Sequence, residues 1–145
     1  MAYAQPDDVR LVLSSVATEQ AGTAADLLDP QIQYEIDSAS AMIDATLRVI
    51  YVTPFEPDTP FLIKSICTDM AAYGCDLNYR KSREYDSQNM PIILRYNKAR
   101  DQLNLIRLGT LTLGWSRADV ADGTLVVHQN DQLFIDEPFG WDPRW

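Results

Sequence analysis

Histidine is all but absent from this chain: His128 stands alone in 145 residues, and cysteine occurs only as Cys67 and Cys75. With so few imidazoles and thiolates the chain can build neither a His-rich nor a Cys-rich zinc site. The six glycines, Gly22, Gly74 and Gly109 among them, are scattered, so there is no glycine-rich loop to cradle phosphate. No stretch approaches the roughly 18–20 consecutive apolar residues of a membrane span. The opening residues, Met1-Ala2-Tyr3-Ala4-Gln5-Pro6-Asp7-Asp8, carry no basic or apolar leader pattern, so no secretory signal is expected. Cys67 and Cys75 fall in one helical pattern, and eight residues of helix rise about 12 Å, beyond the roughly 7 Å between Cα atoms that a disulfide tolerates. Two reduced thiols fit synthesis in a reducing cytoplasm.

These shortages narrow the chemistry. A serine or cysteine triad would have to recruit His128, which sits beside Val126-Val127 in a strand-like run and reads rather as a strand-end histidine with no chemistry. Carboxylates such as Glu35, Asp44 or Asp69 on facing helices could do acid–base work or hold Mg²⁺, yet no pair has a diagnostic spacing. Asp7-Asp8 reads as the acidic first turn of a helix, where the dipole favours negative charge. The expectation is a non-enzymatic protein with no catalytic residue, metal or cofactor.

What is present is acid and apolar residues in quantity. Lys and Arg number 12 against 21 Asp and Glu, a net charge of −9. That balance argues against gripping nucleic acid or anionic membrane by bulk electrostatics. At 46% apolar and 10% aromatic, the chain reads as one folded domain large enough to bury a core.

The pattern along the chain is mainly α. Pro6-Asp7-Asp8-Val9 starts a first helix that continues through Leu11, Val12 and Val16, before a small-residue loop from Ala17 to Asp26. Asp29 as N-cap and Pro30 at the first position open a second helix. Its stripe is Ile32, Ile36, Ala39, Ile43, Leu47 and Ile50, spaced by four, three, four, four and three, with Gln33, Asp37, Ser40 and Asp44 on a polar face. Pro54, Pro57 and Pro60 form a stiff connector. A third helix, capped by Thr59 with Pro60 first, carries Ile63, Ile66, Cys67, Met70, Ala71, Tyr73 and Leu77, and its breadth of apolar surface makes it the central helix. A fourth begins near Pro91 and carries Ile93, Leu94, Tyr96, Ala99, Leu103 and Ile106, with Gly109 as its stop. Thr110–Leu113 then alternates like a short strand or extended lead-out. Leu125–His128 and Leu133–Asp136 flank Gln129–Gln132 as a small β-hairpin, and Pro138–Trp145 is an extended aromatic tail. The division expected is a helical domain over residues 1–113 and a C-terminal extension over 114–145, within one structural unit.

Two constellations stand out as candidate interfaces. Between Arg80 and Arg107 lie Arg80, Lys81, Arg83, Arg95, Lys98, Arg100 and Arg107, seven basic residues against three acidic, net +4 inside a −9 protein. Such a surface is either a solvated helix face or the seat of an acidic partner, another copy of this chain included. The flanks supply the acid: Asp119, Asp122, Asp131, Asp136, Glu137 and Asp142. The second constellation is the tail, where Phe139, Trp141 and Trp145 are aromatic anchors suited to docking in a partner's groove or to folding back over the domain's own core.

The order of these elements resembles the small head–tail connector proteins of tailed bacteriophages, also called adaptor or head-completion proteins, of the Mu-like type. The resemblance rests on Tyr3, Asp8-Val9 and Leu13; on Ile36, Ala39, Ile43-Asp44, Leu47 and Tyr51 followed by Pro54; on Pro60, Leu62, Ile66, Asp69-Met70-Ala71 and Tyr73; and on Arg95-Tyr96, Ala99, Leu103, Ile106 and Gly109. It covers roughly residues 1–113. One departure is that Arg48 is displaced from Tyr51 by Val49-Ile50, so the family's Arg-Tyr pair and the salt bridge that goes with it are not expected. The resemblance implies a helical virion protein assembled as a homo-oligomeric ring, a dodecamer by the usual count, at the portal vertex. It implies contact with the portal protein and with a tail or tail-terminator protein, and a channel through which DNA passes without sequence-specific binding. Rival readings are a tail-terminator or stopper ring one layer lower, and a small soluble host-directed binder. Residues beyond Gly114 are not matched, and the role of the hairpin and tail in docking is read from composition alone.

Overall fold

A computed structural model describes residues 2–15, 27–79 and 91–115. The chain forms α1 (Pro6–Ser15), α2 (Asp29–Leu47), α3 (Phe61–Tyr79) and α4 (Pro91–Arg107). Among the described residues there is no strand. The expected hairpin and aromatic tail, and the loop before α2, lie outside them.

The starts of α2 and α3 depart from expectation by one residue, whereas α1 and α4 begin at Pro6 and Pro91 as expected. The Gln5 N–H donates to Asp8 Oδ2 at 3.1 Å, and the Leu28 N–H donates to Gln31 Oε1 at 3.0 Å. Each is the returning half of a capping box, an N3 side chain satisfying the N-cap amide. Leu28 therefore occupies the α2 cap, and Asp29 sits inside the first turn with its carboxylate 2.6 Å from Arg10 Nη1. At α3 the cap is Pro60, whose carbonyl accepts from the Lys64 N–H at 3.0 Å, while the Thr59 hydroxyl donates back to the Phe55 carbonyl. The end of α4 matches expectation. Gly109 has φ 76°, its N–H donates to the Ile106 carbonyl, and the Thr110 N–H donates to the Leu105 carbonyl, both at 3.0 Å. This is a Schellman closure, in which the left-handed residue is free of Cβ cost.

α3 packs against all three other helices and is the centre of the domain. Its Ile63, Ile66, Cys67, Met70, Ala71, Ala72 and Cys75 are buried. The α2 stripe of Ile32, Ile36, Ala39, Ile43 and Leu47 faces it, as do Val9, Val12 and Leu13 of α1 and Ile92, Ala99, Leu103 and Ile106 of α4. Leu11, Leu77 and Leu94, expected on the apolar stripes, are exposed. α2 ends at Leu47, and the amides of Ile50 and Tyr51 turn back to the Leu47 carbonyl at 2.9 Å. Arg48 is exposed at the C-cap while Tyr51 enters the core, which keeps the two side chains apart.

The proline connector proves to be a hub. Phe55 is fully buried, with ring centroids of Tyr3 at 5.7 Å, Trp115 at 5.6 Å and Tyr51 at 6.3 Å. The Tyr3 hydroxyl donates to Asp44 and accepts from the Phe55 N–H at 3.1 Å, and the Tyr3 N–H donates to Ser40 Oγ at 3.1 Å. Expected on the polar face of α2, Ser40 falls one turn from Ile36, beside the buried stripe, and Asp44 one turn further along the same flank. Ser40 is buried against Cys67 of α3, and the N-terminal segment lies over that side of the helix and brings a donor to each. From the other end, the Leu113 N–H donates to the Tyr51 hydroxyl at 3.3 Å and Trp115 Nε1 to the Val52 carbonyl at 3.1 Å. Thr110–Leu113 is thus a lead-out that seals the hub.

Burial, with the Asp44 carboxylate adding to it, pushes the Tyr3 phenol far above its ordinary value and keeps it protonated as a donor. Replacing Tyr3 by Phe leaves the buried Phe55 N–H without its acceptor. The expected cost is about 1–3 kcal/mol, read as a lower urea midpoint at unchanged slope. Burial likewise raises the Cys67 thiol, and neither Cys67 nor Cys75 forms a disulfide. Alkylation of both thiols at mildly alkaline pH should follow global unfolding, with no fast phase in the native protein.

Candidate functional site

α4 is the most basic described element, and its two sides do different things. Successive helical residues turn by about 100°, so Ile92, Ala99, Leu103 and Ile106 fall on one side and are buried. Leu94, Lys98, Asp101, Leu105 and Leu108 fall within one narrow band on the opposite side, all exposed. On this helix the positions of four predicted interface residues can be read directly.

Arg95 is an internal strut. Its Nε and Nη2 both donate to Asp69 Oδ1, at 2.9 and 2.8 Å, and the Asp69 side chain is only 12% exposed against 43% for Arg95. The pair ties the start of α4 to the middle of α3. Arg100 lays its guanidinium 5.8 Å from the centroid of the Tyr96 ring, which is itself stacked on Tyr73 at 4.2 Å. A cation over an aromatic face is held without losing its hydration on the outer side. Arg107 donates from Nη2 and Nε to Asn104 Oδ1 at 3.0 and 3.3 Å. Arg100 and Arg107, two turns apart, share a flank of α4, whereas Lys98 lies on the outward band. Asn97, Arg100, Asp101 and Asn104 line an open groove along the helix.

The basic residues therefore do not form one patch among the described residues: one is tied inward, two line a flank, and one joins the outward band. Arg80, Lys81 and Arg83, together with Phe139, Trp141 and Trp145, lie outside the described residues.

The acids singled out as rival catalytic groups each have a separate engagement. Glu35 accepts from Asn78 Nδ2 at 2.8 Å and rests against Gly74, where a Cβ would run into its carboxylate. Asp44 takes the Tyr3 hydroxyl and Asp69 takes Arg95. Among the described residues no group of three or more His, Cys, Asp or Glu could hold a metal ion, and no helix is long and apolar enough to cross a membrane.

Two exposed surfaces escaped the sequence reading. One is the outward band of α4, where Leu105 and Leu108 join Leu94. The other is the outer side of α2, where Tyr34, Met42 and Val49 are exposed alongside Ser38, Ala41 and Ala45. Both were present in the helical phase of the sequence, on the side away from the main stripe.

The strut and the outward lysine separate cleanly by mutation. Arg95→Ala leaves the mostly buried Asp69 carboxylate uncompensated and should lower stability by about 1–3 kcal/mol, the half-exposed arginine tempering the loss. Lys98→Ala should stay within about 0.5 kcal/mol of the parent. Chemical denaturation of the two variants side by side measures both.

Comparison with known proteins completes the description. The family described as Bacteriophage Mu, Gp36 matches residues 3–129, a span that takes in every described helix and runs past residue 113. No curated protein sequence matches the chain. With nearly the whole chain matched, from the Tyr3 hub through the α4 surface and beyond, the protein belongs to the bacteriophage Mu Gp36 family and is a phage protein of the Mu-like kind.

Proposed function

We propose that this protein is a structural component of the virion, a connector of the adaptor or head-completion type. It forms a ring at the portal vertex, joins the DNA-filled head to the tail and lengthens the DNA channel. The observation that carries this reading is the family match over residues 3–129, which favours a structural or morphogenetic role in a Mu-like phage. The placement of the polar side chains agrees with it. Buried or half-buried polar groups such as Tyr3, Asp44, Asp69 and Glu35 are engaged in tying the described elements together, and the described helices keep exposed faces suited to meeting other proteins. The role is assembly, without catalysis or cofactor.

Charge supplies the mechanism. The chain is acidic overall, yet its 80–107 segment is basic. A subunit that presents a basic flank on one side and acidic residues on another pairs head to tail, and head-to-tail contacts close into a ring when the rotation permits. The flank bearing Arg100 and Arg107 is the described part of such a seam. Twelve copies would match a portal ring. The surplus acid then faces the channel, where it repels phosphate and lets the duplex slide. The aromatic anchors Phe139, Trp141 and Trp145 reach a neighbouring copy, the portal or the tail.

Purified virions test the reading. The protein should be present at a fixed copy number near twelve, and phage lacking it should accumulate DNA-filled heads and unattached tails. Its absence from particles, or normal joining without it, removes the connector reading and favours a host-directed binder. Mixing an Arg100→Glu/Arg107→Glu variant with parent protein should impair ring assembly. A chain truncated before Pro138 should fold yet fail to assemble, and unchanged assembly would dispose of the tail's role.

A further inference from the structure

The outward band of α4 has a property that its composition alone does not reveal. Leu94 is 52% exposed, Leu105 41% and Leu108 64%, and between the first two stand the exposed Lys98 and Asp101. Lone exposed leucines are ordinary. Three on one narrow band, centred on a cation and an anion, make a surface that can recognise its own copy.

Consider two α4 helices laid against each other along this band. In a parallel, in-register pair, Lys98 faces Lys98 and Asp101 faces Asp101, and like charges oppose. In an antiparallel pair related by a two-fold axis between Ala99 and Arg100, each Lys98 lies level with Asp101 of the other copy. The same axis sets each Leu94 level with Leu105 of the other copy, and each Leu108 over Pro91. With a rise of about 1.5 Å per residue, the two leucine layers sit roughly 8 Å to either side of the axis, and the two ion pairs about 2 Å from it. One axis satisfies the apolar and the charged pairs together. Buried leucines supply attraction, and the crossed Lys–Asp pairs fix direction and register.

We propose that the free protein forms a two-fold symmetric dimer through the outer face of α4, antiparallel, with Leu94 packed on Leu105 and Lys98 paired to Asp101 of the other copy. The occupant of this face is thus another copy of the same chain. A single helix face about 27 Å long buries less than a standard interface, under about 1,200 Å² in total. The dimer is accordingly of the transient class, exchanging with monomer at micromolar or weaker affinity. A two-fold contact uses like surfaces and a ring uses unlike ones, so this dimer does not depend on the connector reading. In a connector it would be a soluble reserve that parts before subunits enter the ring.

Sedimentation equilibrium of the full-length protein, from low micromolar to near-millimolar concentration, is the test. The expected result is a monomer–dimer equilibrium. Leu105→Lys and Lys98→Glu should each weaken it by about tenfold or more, with helicity by circular dichroism unchanged. Asp101→Lys added to Lys98→Glu should restore association, because the crossed pair is re-formed with its signs exchanged. For register, a short bismaleimide should join a mixture of the Leu94→Cys and Leu105→Cys proteins far better than either alone, the buried native thiols giving no background. A monomer at every concentration overturns the proposal. So does an oligomer indifferent to Leu105→Lys, or Leu94→Cys protein that cross-links to itself as readily as in the mixture.

Discussion

The rest of the structure depends on how the chain satisfies the backbone around Phe55. That residue lies in a connector broken by three prolines, where neither helix nor sheet can pair the amides, and its side chain is the largest fully buried one among the described residues. A buried amide needs a partner. The partner is the Tyr3 hydroxyl, from 52 positions earlier in the chain, which in turn donates to Asp44 on α2. Burial keeps that phenol protonated, so it acts as donor and acceptor at once. From the other end, Leu113 and Trp115 bind Tyr51 and Val52. The two ends of the described helical body are therefore pinned to one point, and the helices between them have their crossing fixed at both ends.

The same economy shapes α4. Arg95 and Lys98 lie less than one turn apart, yet the arginine is bound to Asp69 within the fold and the lysine points outward. A net charge counted along the sequence treats them alike. Their energetic roles differ because Asp69 is nearly buried, and leaving such a carboxylate unpaired costs far more than exposing a lysine to water. What α4 leaves for partners is a flank with Arg100 and Arg107 and a band of leucines about a Lys–Asp centre. The flank suits an acidic, unlike surface. The band suits its own image. On the proposed connector reading both have a use, since a weak like-to-like contact can cover apolar residues without competing with a multivalent docking site.

Membership of the Mu Gp36 family makes this a phage protein and suggests a structural or morphogenetic role. The acidic charge is then easier to understand. On the proposed connector reading it suits a wall past which DNA moves.

The four helices, the central place of α3, the α2 stripe and the glycine closure of α4 can all be read from the sequence. Each follows from local rules: helical period, proline and glycine placement, and the breadth of apolar surface. The starts of α2 and α3 are legible only to within a residue, because the Asp29 carboxylate is taken up by Arg10 and the Thr59 hydroxyl by the Phe55 carbonyl, neither of which the local pattern shows. Asp44 reads as a solvent residue until the N-terminal segment is laid over it. Arg95 reads as part of a basic patch until Asp69 is placed beneath it. Sequence by itself determined which residues could be helical and which faces were apolar, since those depend on neighbours three and four positions away. Only the tertiary structure decided which polar groups are spent inside the fold and which remain for partners, since that depends on groups brought together from 26 to 63 residues apart.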